Sequence, residues 1–164
     1  MFDPVRICEI LNEEQVEYIV VGGFAAVIHG SSLPTQDIDV LPARSMDNLD
    51  RLSRALKRMN AQIRTSGDPV PAPLDGPFLA NMPLMVNLVT ELGELDLTFS
   101  PSGELDGFDG WNAHAVIVEI AEGLTVAVAA LDDVIASKRA ANRPKDQMAL
   151  PYLESLRDQL GSCR

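Results

Sequence analysis

YIVVGGFAAVIHGSSLPTQDIDVL, residues 18–41, is the stretch on which the fold turns. Residues 18–21 are apolar and rich in β-branched side chains, and Gly22-Gly23 closes the run, which predicts a buried strand ending in a tight turn. A short Ala- and Val-rich helix over 24–29 follows, with Gly30 as its left-handed C-terminal cap. After a loop over 31–36, residues 37–41 read as a second strand. Its alternation sends Ile38 and Val40 to one face and Asp37 and Asp39 to the other.

Two carboxylates aimed at one spot repel each other unless a cation or a shared proton offsets the repulsion. Hard divalent cations such as Mg²⁺ take oxygen ligands from one or two carboxylates and leave their other positions to water and phosphate. The N–H groups of a helix starting at Gly22-Gly23, with no side chains in the way, allow phosphate oxygens to come close. A joint site for metal and phosphate is the simplest reading of the stretch.

Working outward, Asp3-Pro4 is an N-cap followed by proline at the first helical position, and Val5, Ile7, Cys8 and Leu11 form an apolar stripe. Ser45 can cap a helix over 46–60 with Leu49, Leu52, Leu56 and Met59 inward; Arg51, Arg54, Lys57 and Arg58 form its solvated face. Residues 61–65 suit a short strand. Residues 66–83, with prolines at 69, 71, 73, 77 and 83, are expected to be irregular throughout, either a flap over the site or a surface excursion.

Residues 84–90 and 94–99 read as a hairpin. In its second strand Leu95, Leu97 and Phe99 share one face, and Glu94, Asp96 and Thr98 the other, so Asp96 is a candidate third carboxylate and Glu94 its competitor. A helical turn over 107–112 packs Trp111 on the core, and two strands, 115–120 and 124–129, follow. His29 and His114, each without a matched partner, read as structural or surface residues.

In LDDVIASKRAANRPKD, residues 131–146, helical spacing puts Leu131, Val134, Ile135 and Lys138 on one face, and an inward lysine wants an anion. No Lys or Arg occurs from Thr65 to Ser137, whereas Lys138, Arg139, Arg143 and Lys145 arrive together. Arg139 and Arg143 fit equally well as cations in a helix's last turn. Pro144 restarts a helix, and Pro151 begins or kinks the terminal one.

At 164 residues the chain is expected to form one domain, 1–164, with 130–164 as a C-terminal helical part. A net charge of −11 lacks the long-range attraction that bulk nucleic-acid binding requires. No run of eighteen apolar residues and no leader segment is present, so a cytoplasmic protein without membrane contact is expected. Cys8 and Cys163, near the two ends, read as reduced bystander thiols.

Gly22-Gly23, thirteen intervening residues and Asp37-Ile38-Asp39 resemble the signature of the DNA polymerase β superfamily of nucleotidyltransferases, and the segment 93–97 resembles the element that brings its third carboxylate. Residues 132–138 with Arg143-Pro144-Lys145-Asp146 are similar to the C-terminal part of the minimal, AbiEii-type members. The resemblance implies an α/β (α+β) nucleotidyltransferase-like fold, a mixed, partly antiparallel sheet with flanking helices. It also implies transfer of a nucleoside monophosphate from a nucleoside triphosphate to an acceptor, with two Mg²⁺ ions assisting in-line displacement at the α-phosphorus. Carried over, Asp37, Asp39 and Asp96 are metal ligands and catalytic; Gly22, Gly23, Thr35, Lys138 and Asp146 belong to the nucleotide site, and Lys138 also to catalysis.

Asp96 would in addition accept the proton of the attacking hydroxyl. The acceptor is a protein, an RNA end or a small molecule such as an antibiotic. A toxin–antitoxin setting would add a cognate antitoxin or RNase-like partner, and a catalytically silent binding or regulatory partner is the rival from another class. Leu33 and Gln36 stand where many relatives carry an arginine and a lysine, so metal, backbone amides and Lys138 are left to hold the triphosphate.

Overall fold

Residues 1–162 are described by the computed structural model; Cys163 lies outside the described residues. The chain runs α1 (Pro4–Glu13), β1 (Tyr18–Val21), α2 (Gly22–Ile28), β2 (Asp37–Pro42), α3 (Met46–Arg58), β3 (Gln62–Ile63) and α4 (Gly76–Ala80). It continues through β4 (Met85–Thr90), β5 (Gly93–Thr98), α5 (Gly107–Asn112), β6 (Val116–Ala121), β7 (Leu124–Val128), α6 (Leu131–Ala141) and α7 (Pro144–Ser162). The seven strands form one mixed sheet in the order β3-β4-β5-β2-β1-β7-β6. This is the expected α/β architecture, a mixed sheet with flanking helices. Among the described residues, no helix is long and apolar enough to cross a membrane.

Antiparallel pairing of β1 with β2 sets Val20 beside Val40 and Val21 beside Asp39. Parallel pairing of β2 with β5 then sets Asp37 beside Glu94 and Asp39 beside Asp96. Because side chains alternate along a strand, both aspartates of β2 and Asp96 of β5 emerge on one face, while Ile38, Val40, Leu95 and Leu97 are buried on the other. Tyr18, on that buried face, reaches α1 by donating its hydroxyl to Asn12 Oδ1 at 2.9 Å. Ile7, Cys8, Ile10 and Leu11 of α1 join the core. Ile10 replaces Val5 of the expected stripe: at about 3.6 residues per turn Val5 falls well round the helix from the face shared by Ile7 and Leu11, and it is exposed. Burial pushes the Cys8 thiol up to about 11, so it stays protonated.

Beside α1 lies α3, with Leu49, Leu52, Leu56 and Met59 buried as expected. Its basic face is not merely solvated: Arg54 and Arg58 pair with Glu14 and Glu13 across the helix gap. Residues 66–83 contain a helix after all. Asp75 accepts from the Phe78 N–H at 2.9 Å, proline occupies the first turn of α4, and Leu79 is fully buried, so the segment is a surface excursion seated on α3. None of its residues lines the cleft described below. Pro151 lies inside α7 without dividing it.

One buried polar group ties the layers together. Asn48 of α3 is fully buried; its Oδ1 accepts from the Glu17 N–H at 2.7 Å, and its Nδ2 donates to the carbonyls of Glu17 at 2.9 Å and Ala43 at 2.8 Å. The residues just before β1 and just after β2 are thereby clamped to one side chain, which steadies the antiparallel pair carrying Asp37 and Asp39. Asn48→Ala takes that side-chain partner from the Glu17 N–H and the Ala43 carbonyl, while the Glu17 carbonyl keeps the Ala43 N–H at 3.1 Å, and is expected to cost about 1–3 kcal/mol. Urea unfolding of the variant checks this, and a loss below about 0.5 kcal/mol would show that the clamp is not a structural tie.

Candidate active site

The geometry starts from the glycine pair. Gly22 ends β1 with φ +68 and opens α2, a conformation that suits glycine. A Cβ at Gly22 would overlap Asp39 Oδ2, and one at Gly23 would press on Thr35 Oγ1 at 3.3 Å. The bare backbone at Gly22 therefore makes room first for the Asp39 carboxylate. Thr35 is engaged locally as well: its hydroxyl donates to the Asp37 carbonyl at 3.0 Å and anchors the loop where β2 begins.

Asp37, Asp39 and Asp96 each offer an oxygen to one point, with those oxygens within 4.8 Å of one another. Asp96 is buried, and its Oδ1 accepts no hydrogen bond, although Arg64 Nη2 lies 3.0 Å away in ion-pair range. Three hard oxygen donors and a buried, unsatisfied lone pair fit a divalent cation. Glu94, the alternative third carboxylate, instead faces Arg64 Nη1 at 3.1 Å and stays outside the cluster.

Electrostatics carries the same signature. Burial, then repulsion from Asp37 and Asp96, raises the Asp39 carboxyl from 3.8 to about 7, against the opposing pull of Lys145 and Lys138. Burial also raises Asp96, with the Arg64 hydrogen bond and charge working in the other direction. A cation at the cluster would reverse this balance.

Around the carboxylates opens a cleft of about 1140 Å³, bordered by Gly22, Gly23, Thr35, Lys138, Arg143 and Lys145 among others. The carboxylates come from the sheet and three of the cations from the corner between α6 and α7. Asn142, at φ 52, is the left-handed residue that turns the chain there. Asp146 is fully buried and off the cleft wall. Its Oδ2 accepts from Arg143 Nε at 2.7 Å and from the Arg143 N–H at 3.1 Å, and Lys138 Nζ lies 3.7 Å from its Oδ1. Burial pushes the Asp146 carboxyl up, but the Arg143 hydrogen bonds and the nearby cations hold it below the usual range.

Asp146, assigned to the nucleotide site in a supporting role, lies behind Arg143 and Lys138 and pairs with both. Sequence reasoning also missed Arg64, Arg143 and Lys145 as cleft residues. The basic cluster after Ser137 was the available signal for Arg143 and Lys145, whereas Arg139 turns away to Glu154 at 2.7 Å. For Arg64, leaving a two-residue strand, no local pattern existed. His29 and His114 are structural: His29 Nε2 meets the Ala129 carbonyl at 2.7 Å, and His114 Nδ1 meets Asp133 at 2.8 Å.

No protein-family model matches the chain, and no curated protein matches it by sequence. Among solved structures, the chain is similar to the lincosamide antibiotic adenylyltransferase LnuA in its lincomycin-bound form. The TM-score is 0.62 at 16% identity, covering 92% of this chain and 94% of that one. It is also similar to a candidate nucleotidyltransferase from Thermotoga maritima, with a TM-score of 0.50 at 16% identity, covering 99% of this chain and 96% of that one. At such identity the likeness is one of fold, and the fold is that of nucleotidyltransferases.

Two expectations follow from the crowding at Asp39. A raised carboxyl means that the folded state holds a proton the unfolded state has released, so this contribution to stability is present below about pH 4 and is lost as pH rises through about 7. Asp39→Asn should therefore raise Tm at pH 8 in metal chelator, at roughly 2–4 °C per kcal/mol for a chain of this size, and should abolish stabilisation by Mg²⁺. Thermal melts across pH, with and without Mg²⁺, check both. Gly22→Ala should lower stability by about 1–3 kcal/mol through overlap and a left-handed backbone, and should weaken metal binding by displacing Asp39. Unfolding and Mn²⁺ titration read the two effects separately.

Proposed function

We propose that this chain is a Mg²⁺-dependent nucleotidyltransferase that moves a nucleoside monophosphate from a nucleoside triphosphate to a hydroxyl of a small molecule. The observation carrying the reading is the convergence of Asp37, Asp39 and Asp96 on one point in a cleft whose opposite side carries Lys138, Arg143 and Lys145. A catalytically silent partner would need neither the charge conflict among the carboxylates nor the cations facing them. The loop positions Leu33 and Gln36 carry no charge, and Arg143 and Lys145 offset that loss from the other side of the cleft.

Mg²⁺ held by the three aspartates would supply charge neutralisation at the triphosphate and would acidify the attacking hydroxyl. Lys138, Arg143 and Lys145 would grip the β- and γ-phosphates, with Asp146 fixing the directions of Lys138 and Arg143. The backbone N–H groups at Gly22 and Gly23 add donors on the α2 side. Asp96, buried beside the metal position with Arg64 Nη2 at 3.0 Å from its Oδ1, would accept the proton of the acceptor hydroxyl. The acceptor oxygen bonds to the α-phosphorus, the bond from that phosphorus to the bridging oxygen breaks, and pyrophosphate leaves.

A small acceptor is favoured by the cleft itself. Its volume exceeds the roughly 300–1,000 Å³ of a site for one small ligand, leaving room for nucleotide and acceptor side by side. Near Asp96 the wall mixes exposed Leu84 and Met85 with Asn87 and Ser100, which suits a partly apolar, hydroxylated molecule. The structural neighbour LnuA is by its description an antibiotic adenylyltransferase, and this reading places the present chain in the same broad class of small-molecule modification. The AbiEii-type resemblance would give the same chemistry a toxin–antitoxin setting, with a protein or RNA acceptor.

Asp96→Asn should lower turnover by about 10²–10⁴ while preserving the fold. Asp37→Asn should also abolish Mg²⁺-dependent triphosphate binding. Release of pyrophosphate from each nucleoside triphosphate, measured with a panel of hydroxylated small molecules, tests the assignment. Transfer that proceeds undiminished in Asp37→Asn would sink it.

A further inference from the structure

Resting on the transferase reading, we infer that the nucleobase of the triphosphate stacks in an apolar slot between the 33–34 loop and α7, with Tyr152 as its platform. The core face of α7 is spoken for: Leu153 is buried with Ala26, Leu131 and Ile135, with Ala149, Leu150 and Leu156 packed beside them. Met148 and Tyr152 lie off that face. They are 76% and 65% exposed, yet both line the cleft, so two large apolar surfaces stand in water where a ligand is expected.

Position along the helix ties these residues to the phosphate end. Lys145, Met148 and Tyr152 follow at helical spacing on the cleft side, and Tyr152 lies two turns, about 10.5 Å, beyond Lys145. A nucleotide whose phosphates meet Lys145 therefore extends its base toward Tyr152. Leu33 and Pro34 line the same cleft from the loop before β2. The two elements are neighbours: a Cβ on Gly30, just upstream of that loop, would lie 3.7 Å from Leu156 Cδ1, one turn beyond Tyr152. Leu33, uncharged where many superfamily members carry a cation, thus gains a use as the wall opposite an aromatic platform. The acceptor lies toward Asp96 and Arg64, on the other side of the carboxylates, so the base and the acceptor do not compete for the slot.

Stacking on an aromatic face tolerates every base and contributes about 1–3 kcal/mol by alanine substitution, or roughly five- to 150-fold in affinity. Titration calorimetry with Mg²⁺ present compares ATP and inorganic tripolyphosphate on wild type, Tyr152→Ala and Tyr152→Phe. Tyr152→Ala should weaken ATP at least fivefold and leave tripolyphosphate within twofold of wild type, while Tyr152→Phe should keep both. Equal weakening of ATP and tripolyphosphate, or no weakening of either, would overturn the base slot. Wild-type binding of tripolyphosphate with no gain for ATP would overturn it too, while leaving the metal and phosphate site standing. Wild type that binds neither ligand would bring down the transferase reading, and the slot with it.

Discussion

Like-charge repulsion among three aspartates is the constraint around which the rest of the structure is arranged. Parallel pairing of β2 with β5 leaves Asp39 beside Asp96, and alternation on β2 adds Asp37 to the same face. Nothing in a sheet requires such crowding, and repulsion from Asp37 and Asp96 adds to burial in raising the Asp39 carboxyl. The surroundings supply the offset. Arg64 comes from one side, Lys138, Arg143 and Lys145 come from the other, and Gly22 withdraws its own side chain so that Asp39 can occupy the space.

The strand–helix–strand unit from Tyr18 to Pro42 was legible because its signals are local. A β-branched run meets two glycines, a short helix meets Gly30, and an alternating strand exposes its acids on one side. The hairpin of β4 and β5 and the final strands were legible for the same reason. Asp96 could be named a candidate because it shares the parity of Asp37 and Asp39 within its own strand, but the pairing that makes the three meet joins strands far apart in the chain. Glu94 has that parity too, and only the register and Arg64 separate the two acids.

What was not legible was tertiary or was masked by stronger local signals. Arg64 follows a two-residue edge strand and acquires meaning only from Glu94 and Asp96 across the sheet. Asp146 looks like any acidic residue in a first helical turn, yet the return of α7 against α6 buries it completely. Asn48 resembles a surface position beside a Ser45 cap until the ends of β1 and β2 close on it. The helix α4 carried its own start signal in Asp75-Gly76-Pro77, outweighed by the prolines on either side.

The corner at Asn142 has a consequence for how the site is held together. The sheet and Val134 of α6 sit in the main core, whereas α7 is held through Leu153 in a small cluster with Ala26, Leu131 and Ile135. The small cluster buries less, so α7 is expected to open before the sheet does. A ligand gripped by both halves acts as a staple across that seam. Its binding energy would therefore register mainly as slowed amide exchange along α7, with little change in the already protected strands.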